Sequence, residues 1–213
     1  MYIPKNFSET DHATLHAAIR AYPLATLVSH VSGSDLDANH LPLHFTRQEY
    51  GSGILSGHIA RANPLGRAIN GGEEVLAIFH GPNAYIAPSW YASKARTGMV
   101  VPTWNYVVVH ASGKLKVMDD AEWLRAHLEM LTAEHEAGLE KPWQMADAPP
   151  SFIDQLIQAV VGIEIEITHL SGKYKVSQNQ PVENQLGVIQ GLRESGREQD
   201  QEMASVIARI NHL

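Results

Sequence analysis

The segment Ser56-Gly57-His58-Ile59-Ala60-Arg61-Ala62-Asn63-Pro64 holds the densest set of chemically useful groups in the chain. A run of strand-forming residues ends there, and Asn63-Pro64 opens a helix. A helix N-terminus presents unpaired backbone N–H groups and the positive end of a dipole, which suits a phosphate. Arg61 adds a planar, permanently charged fork beside it, and Gly57 allows a ligand to approach the backbone closely. The same residues also describe an ordinary strand-to-helix turn, with Asn63 as its cap and Arg61 in solvent.

Two further groups follow. Pro88-Ser89-Trp90-Tyr91 and Val101-Pro102-Thr103-Trp104-Asn105-Tyr106 gather two tryptophans and two tyrosines in a chain with 7% aromatics. Aromatic faces with polar tips suit a planar ligand or a subunit interface. Trp90 and Tyr91, beside a loop of small residues, point to one of those roles, and Trp104, on a strand, points to core packing. In Gly172-Lys173-Tyr174-Lys175-Val176-Ser177-Gln178-Asn179, alternation sets Lys173, Lys175 and Ser177 on one face. Two lysines there could hold an anion, but taken alone they read as a protected edge strand.

The chain has 12 histidines and no cysteine. Disulfides, thiolate metal sites and cysteine nucleophiles are excluded together. His40 and His44 share a strand face but stand too far apart to chelate one ion easily. His40, His58, His80 and His110 all fall near strand ends. No His-Glu-x-x-His pattern, P-loop, G-x-G-x-x-G fingerprint or Gly-x-Ser-x-Gly elbow occurs, so no metal site, nucleotide fold or serine nucleophile is expected.

Positioning these groups requires many short strands and few long helical connectors. Ser8 with Asp11 reads as a cap for a helix burying Leu15, Ala18, Ile19 and Tyr22. Strands are expected at 24–30, at 39–45 with Leu41, Leu43 and Phe45 on one face, and at 53–59 after a tight turn at 50–53. A short helix starts at Asn63-Pro64 and stops at Gly71-Gly72. Strands at 75–80 and 84–87 join through Gly81-Pro82-Asn83, and strands at 103–110 and 114–118 through Ser112-Gly113. Asp119-Asp120 cap an amphipathic helix bearing Leu124, His127, Leu128 and Leu131. A second begins near Ser151, with Phe152, Leu156, Ile157 and Val160 inward. Gly162 to His169 alternates Ile163, Ile165 and Ile167 with Glu164, Glu166 and Thr168, the pattern of an antiparallel sheet wet on one face. Another strand covers 173–176, and helices over 181–193 and 198–210 close the chain.

This order predicts an α+β fold, mainly β, built on a closed or partly open antiparallel barrel. One domain over 1–213 is expected, with a helical insertion around 120–160 and a C-terminal helix pair around 181–211. No apolar stretch is long enough to span a membrane and no signal peptide is visible, so a soluble, cytoplasmic protein is expected. The net charge is −7, which disfavours nucleic acid over most of the surface.

In order and in register, Asn39-His40-Leu41-Pro42, Gly57 to Pro64, Pro88 to Tyr91, Val101 to Tyr106 and Gly172 to Asn179 resemble the PaiB family of FMN-binding negative transcriptional regulators. The opening Met1-Tyr2-Ile3-Pro4 and Lys141-Pro142-Trp143 are also similar. Asn39 and Tyr174 depart from the pattern, which has threonine or serine and tryptophan there. The resemblance implies an antiparallel split β-barrel of the FMN-binding type and a homodimer with FMN between the subunits. It implies that Ala60, Arg61 and Asn63, with His58 beside them, hold the phosphate. His40 and Leu41 would lie along the isoalloxazine ring. Trp104, Asn105, Lys175 and Gln178 are further candidates, contributed by the partner subunit.

Three functions fit these residues: a flavin-binding regulator or sensor, an FMN-dependent oxidoreductase on a small substrate, and an interaction protein. Direct DNA binding by the C-terminal helix pair is disfavoured, because Val182 to Leu213 carries three arginines against five carboxylates.

Overall fold

The computed structural model describes residues 1–30, 35–49, 51–69 and 71–213. Tyr50 of the expected turn at 50–53 lies outside them. The chain forms two compact units. One comprises residues 1–22, 79–110 and 171–213, the other residues 23–78 and 111–170. Three long strands contribute to both: β6 (Glu73–Ile86), β7 (Thr103–Met118) and β8 (Val160–Lys175).

The second unit holds the barrel. It contains β2 (Leu24–Ser29), β3 (Asp37–Pro42), β4 (His44–Thr46), β5 (Ile54–Ala60) and the adjoining halves of the long strands. The strand order is β3-β2-β6-β7-β8-β5-β4. β3 and β4 are therefore opposite edges of the sheet, yet Leu43 alone separates them along the chain. A single residue cannot cross a flat sheet of this width, so the sheet curls until its edges meet. The expected single strand at 39–45 is thus two strands, broken where the chain changes edge. Leu41, Leu43 and Phe45 still point inward, at 5%, 1% and 3% exposure. The pairings β2–β3, β4–β5 and β5–β8 are antiparallel, with β5 running from Ile54↔Glu166 to Ala60↔Val160 along β8. Ile163, Ile165 and Ile167 of β8 are buried as their alternation required.

Two expected hairpins do not form. Residues 75–87 fall in or beside one strand, β6, and residues 103–118 form one strand, β7. Their glycines serve close approach, not turning. A Cβ on Gly113 would stand 2.4 Å from the Glu166 carbonyl oxygen, and one on Gly81 would stand 2.9 Å from the Val107 Cβ. Glycine inside a strand marks such contacts.

On this unit α2 (Pro64–Ala68) is capped by Asn63, and α4 (Ala121–Glu136) by Asp120, whose carboxylate accepts from Glu122 and Trp123 N–H at 2.8 Å each. α5 (Pro150–Ala159) buries Ile153 and Ile157, which pack with Leu124. Phe152 and Leu156 instead stay 51% and 48% exposed, a correction to the expected inward face. Each buried Ile or Leu contributes about 1.5–3 kcal/mol.

In the first unit, Asp11, not Ser8, caps α1 (His12–Ala21), accepting from Thr14 N–H at 2.8 Å. Ser8 and Glu9 form β1, paired to Lys173 and Gly172 of β8. β8 is interior to the sheet, flanked by β5 at residues 160–166 and by β1 at Gly172 and Lys173, which overturns the edge-strand reading at Lys173. The short helix α3 spans Lys94–Thr97, and α6 (Val182–Glu194) and α7 (Glu198–Ile210) form the expected C-terminal pair. Trp90 lies against α6, where a Cβ on Gly191 would stand 2.4 Å from its ring atoms. Among the described residues no helix is long and apolar enough to cross a membrane.

Candidate functional site

β5 ends at Ala60 and delivers Arg61 to the corner before α2. Its Nε donates to the Gln158 carbonyl at 2.8 Å, one terminal nitrogen to Asp119 at 3.0 Å, and the other to Asp119 at 2.7 Å and the Val160 carbonyl at 3.0 Å. The guanidinium holds the Asp119 carboxyl below its usual range, and Asp119 in return raises that of Arg61. The backbone here is also engaged. Arg61 N–H donates to Ala159, Asn63 N–H to Ala60 and Gly66 N–H to Asn63. The Asn63 side chain accepts from Leu65 N–H at 2.9 Å and donates to Asn39 at 2.7 Å. The corner is therefore a charged, internally bonded strut. An anion would reach Arg61 by exchanging with Asp119, which stands free for that pairing because Asp120 alone caps α4.

The other corner candidates separate. His40 is exposed, its Nδ1 3.1 Å from the Thr26 hydroxyl. Leu41 is buried in the barrel. His58 turns its ring to His127 of α4, the centroids 5.7 Å apart. Burial lowers the pKa of His58. Burial first, then His58 and His44, push that of His127 down to about 4.

In the first unit, Asn105 and Lys175 line one cavity of about 330 Å³. Tyr91, Val100 and Val101 form apolar wall, and Thr103, Ser177, Asn179 and Gln180 add polar atoms. Buried Asn105 donates to the Ser177 hydroxyl at 2.8 Å, and Lys175 donates to the Thr103 hydroxyl. Burial, and then the charge of Lys173, lower the pKa of Lys175, while Tyr106 acts against the shift. Gln178 folds back, accepting from Val176 N–H at 2.8 Å and donating to the Tyr174 carbonyl. This turn carries Ser177 at φ 65, a left-handed conformation uncommon outside glycine. Trp104 is 53% exposed, which corrects the core reading, and stands edge-on to Tyr85. Tyr91 is buried in the cavity wall.

Sequence reasoning missed the cavity residues Phe7, Met99, Val100 and Gln180. They carry no motif, and only the packing of the β7 start beside the β8 end assembles them. A larger groove of about 640 Å³ in this unit, lined by Tyr22, Tyr174 and Arg209, holds none of the candidates.

Residues 1–169 match the family model described as "Putative FMN-binding domain". The chain belongs to this family. A relative from Bacillus subtilis, "Protease synthase and sporulation protein PAI 2", is 30% identical over 97% of this chain and 96% of its own. "Uncharacterized protein AN0679" of Emericella nidulans is also 30% identical, over 97% of this chain and 96% of its own. Among solved structures, the FAD and heme binding protein from Mycobacterium smegmatis superposes with a TM-score of 0.54 at 16% identity, covering 79% of this chain and 73% of that one. The conserved hypothetical protein Rv2991 from Mycobacterium tuberculosis gives a TM-score of 0.57 at 9% identity, covering 85% and 94%. The fold is thus the α+β, antiparallel split barrel of the FMN-binding family, and the family's cofactor is FMN. The cavity's donor set fits that group, with apolar walls for a flat ring and Asn105, Lys175 and Ser177 for its polar edge.

Proposed function

We propose that the protein is a flavin-binding regulator, a homodimer that holds FMN and acts on transcription through a partner rather than by touching DNA itself. Kinship to PAI 2 over nearly the whole of both chains carries this reading. Bound FMN supplies redox chemistry, and the chain supplies position and charge. Lys175 and Asn105 would present donors to the polar edge of the flavin, and Tyr91, Val100 and Val101 would shelter its ring. Arg61 of one protomer would take the phosphate after leaving Asp119, with Asn105 and Lys175 contributed by the other protomer. Trp104, exposed beside this region of β7, would face the second subunit. The acidic balance of α6 and α7 supports the absence of direct DNA contact.

Fluorescence titration of the purified protein with FMN tests the reading. Saturable binding of one FMN per chain, without oxidation of added NAD(P)H, supports a regulator. Sustained NAD(P)H turnover would replace it with an oxidoreductase. Absence of binding at tens of micromolar, about −6 to −7 kcal/mol, would remove the flavin altogether. A gel-shift titration that showed salt-dependent, sequence-specific DNA binding would overturn the indirect mode of action.

A further inference from the structure

A seam of histidines runs between α4 and the β4–β5 pair, inside one unit and apart from the cavity described above. His127 is 5% exposed, and neither of its ring nitrogens has a hydrogen-bond partner in the protein. The Nδ1 of His58 is buried and unpartnered in the same way. Buried polar groups in native proteins are nearly always satisfied, so paired orphan nitrogens call for something that bonds both. The two rings stand 5.7 Å apart at 73°. An imidazole nitrogen binds zinc at about 2.0–2.1 Å, so two imidazoles on one ion stand roughly 5 to 6.5 Å apart between centres.

The rings are held in place from outside. Trp123 stacks on His127 at 5.0 Å and 15°, and its indole N–H donates to Glu164 at 3.3 Å. His44 lies opposite Ser56 across β4 and β5, two positions from His58 along that face. Its Nδ1 is 2.8 Å from Glu134 of α4, the carboxylate pairing that orients a metal-binding imidazole.

We propose that His58 and His127 form a binding site for a divalent late first-row transition metal such as zinc. Imidazole without thiolate selects this class of ion, and calcium and magnesium require oxygen ligands instead. Among the described residues no three ligating side chains converge on one point. The ion therefore has two protein ligands, and water or a small anion completes its shell. His44 is the third imidazole of the seam, already turned by its carboxylate. Neither His58 nor His127 lines the cavity of Asn105 and Lys175.

The test is calorimetric titration of the chelator-treated protein with zinc, with a circular-dichroism thermal melt of each variant in parallel as a check on folding. One zinc per chain is expected, with affinity falling at least about tenfold in His58→Gln and in His127→Gln. His12→Ala, which alters a histidine of the other unit, is expected to bind zinc as the wild type does. X-ray absorption of the zinc-loaded wild type is expected to show two imidazoles in the first shell, and does not depend on how the variants fold. No saturable uptake up to ~100 μM, about −5.5 kcal/mol, would overturn the proposal. So would uptake that survives both His58→Gln and His127→Gln, or a first shell with fewer than two imidazoles.

Discussion

Lys175 donates to Thr103 beside a buried asparagine, and burial makes its ammonium easier to deprotonate than an ordinary lysine. If it faces the flavin, affinity depends on the protonated form. Affinity then falls as pH rises through the lysine's lowered pKa, earlier than a free lysine would allow. Lys175→Met is expected to weaken FMN roughly tenfold to a hundredfold, the size of one charge-assisted bond, and to flatten that alkaline decline. A fluorescence titration repeated across pH checks both, and a mutant with wild-type affinity and slope would take Lys175 out of the site. Arg61 offers the complementary case. Its fork is occupied by Asp119, so Arg61→Ala should lower FMN affinity while Asp119→Asn should raise it severalfold. Two variants that both leave affinity unchanged would mark the corner as a strut alone. The sequence showed Arg61 but not its partner, because Asp119 and Asp120 are chemically alike and only the start of α4 decides which of them caps.

Among the elements, glycines decide more than the alternating pattern revealed. Gly81 and Gly113 looked like turn residues in sequence, since a turn and a tight strand contact both exclude a side chain. Only the neighbouring strand distinguishes them, and that neighbour is far along the chain. The helices were clearer: α4 follows from its Asp120 cap and apolar periodicity, and α6 and α7 lie where the sequence places them. α5 is placed correctly with Ile157 inward, but Ile153, not Phe152 or Leu156, shares its buried face, because all three are equally apolar. Trp90 was read as a ligand or interface residue and instead packs on the α6 glycines. That packing can be measured. Gly191→Ala gains about 1 kcal/mol of helix propensity, but its Cβ would sit 2.4 Å from the Trp90 ring. Overpacking of that kind costs about 1–3 kcal/mol, so a net loss of roughly 0–2 kcal/mol is expected in urea unfolding. FMN affinity should drop with it, since Trp90 adjoins Tyr91 in the cavity wall. A variant more stable than wild type would show that Trp90 moves aside freely.

At the scale of the whole molecule, the barrel was legible from strand count and from β8's alternation, whereas its closure through Leu43 needed the strand order. The proposed association of two chains is expected to use exposed apolar side chains. Tyr85, Met99, Val101 and Trp104 are 41%, 84%, 72% and 53% exposed within one unit. Tyr85 and Trp104 stand edge-on to each other, and large apolar groups exposed together are unusual on a monomer and suit an interface. A stable dimer buries about 800 Å² on each partner, and aromatic anchors near its centre carry most of the energy. Trp104→Glu would place a carboxylate where that anchor sits. It is expected to shift the protein to monomer in sedimentation velocity and to reduce FMN affinity in the same samples. Phe152→Glu, on the exposed ridge of α5, is the comparison and should leave both unchanged. If Phe152→Glu instead dissociates the dimer while Trp104→Glu does not, the chains pair through α5, and the face around Trp104 is left to a different partner.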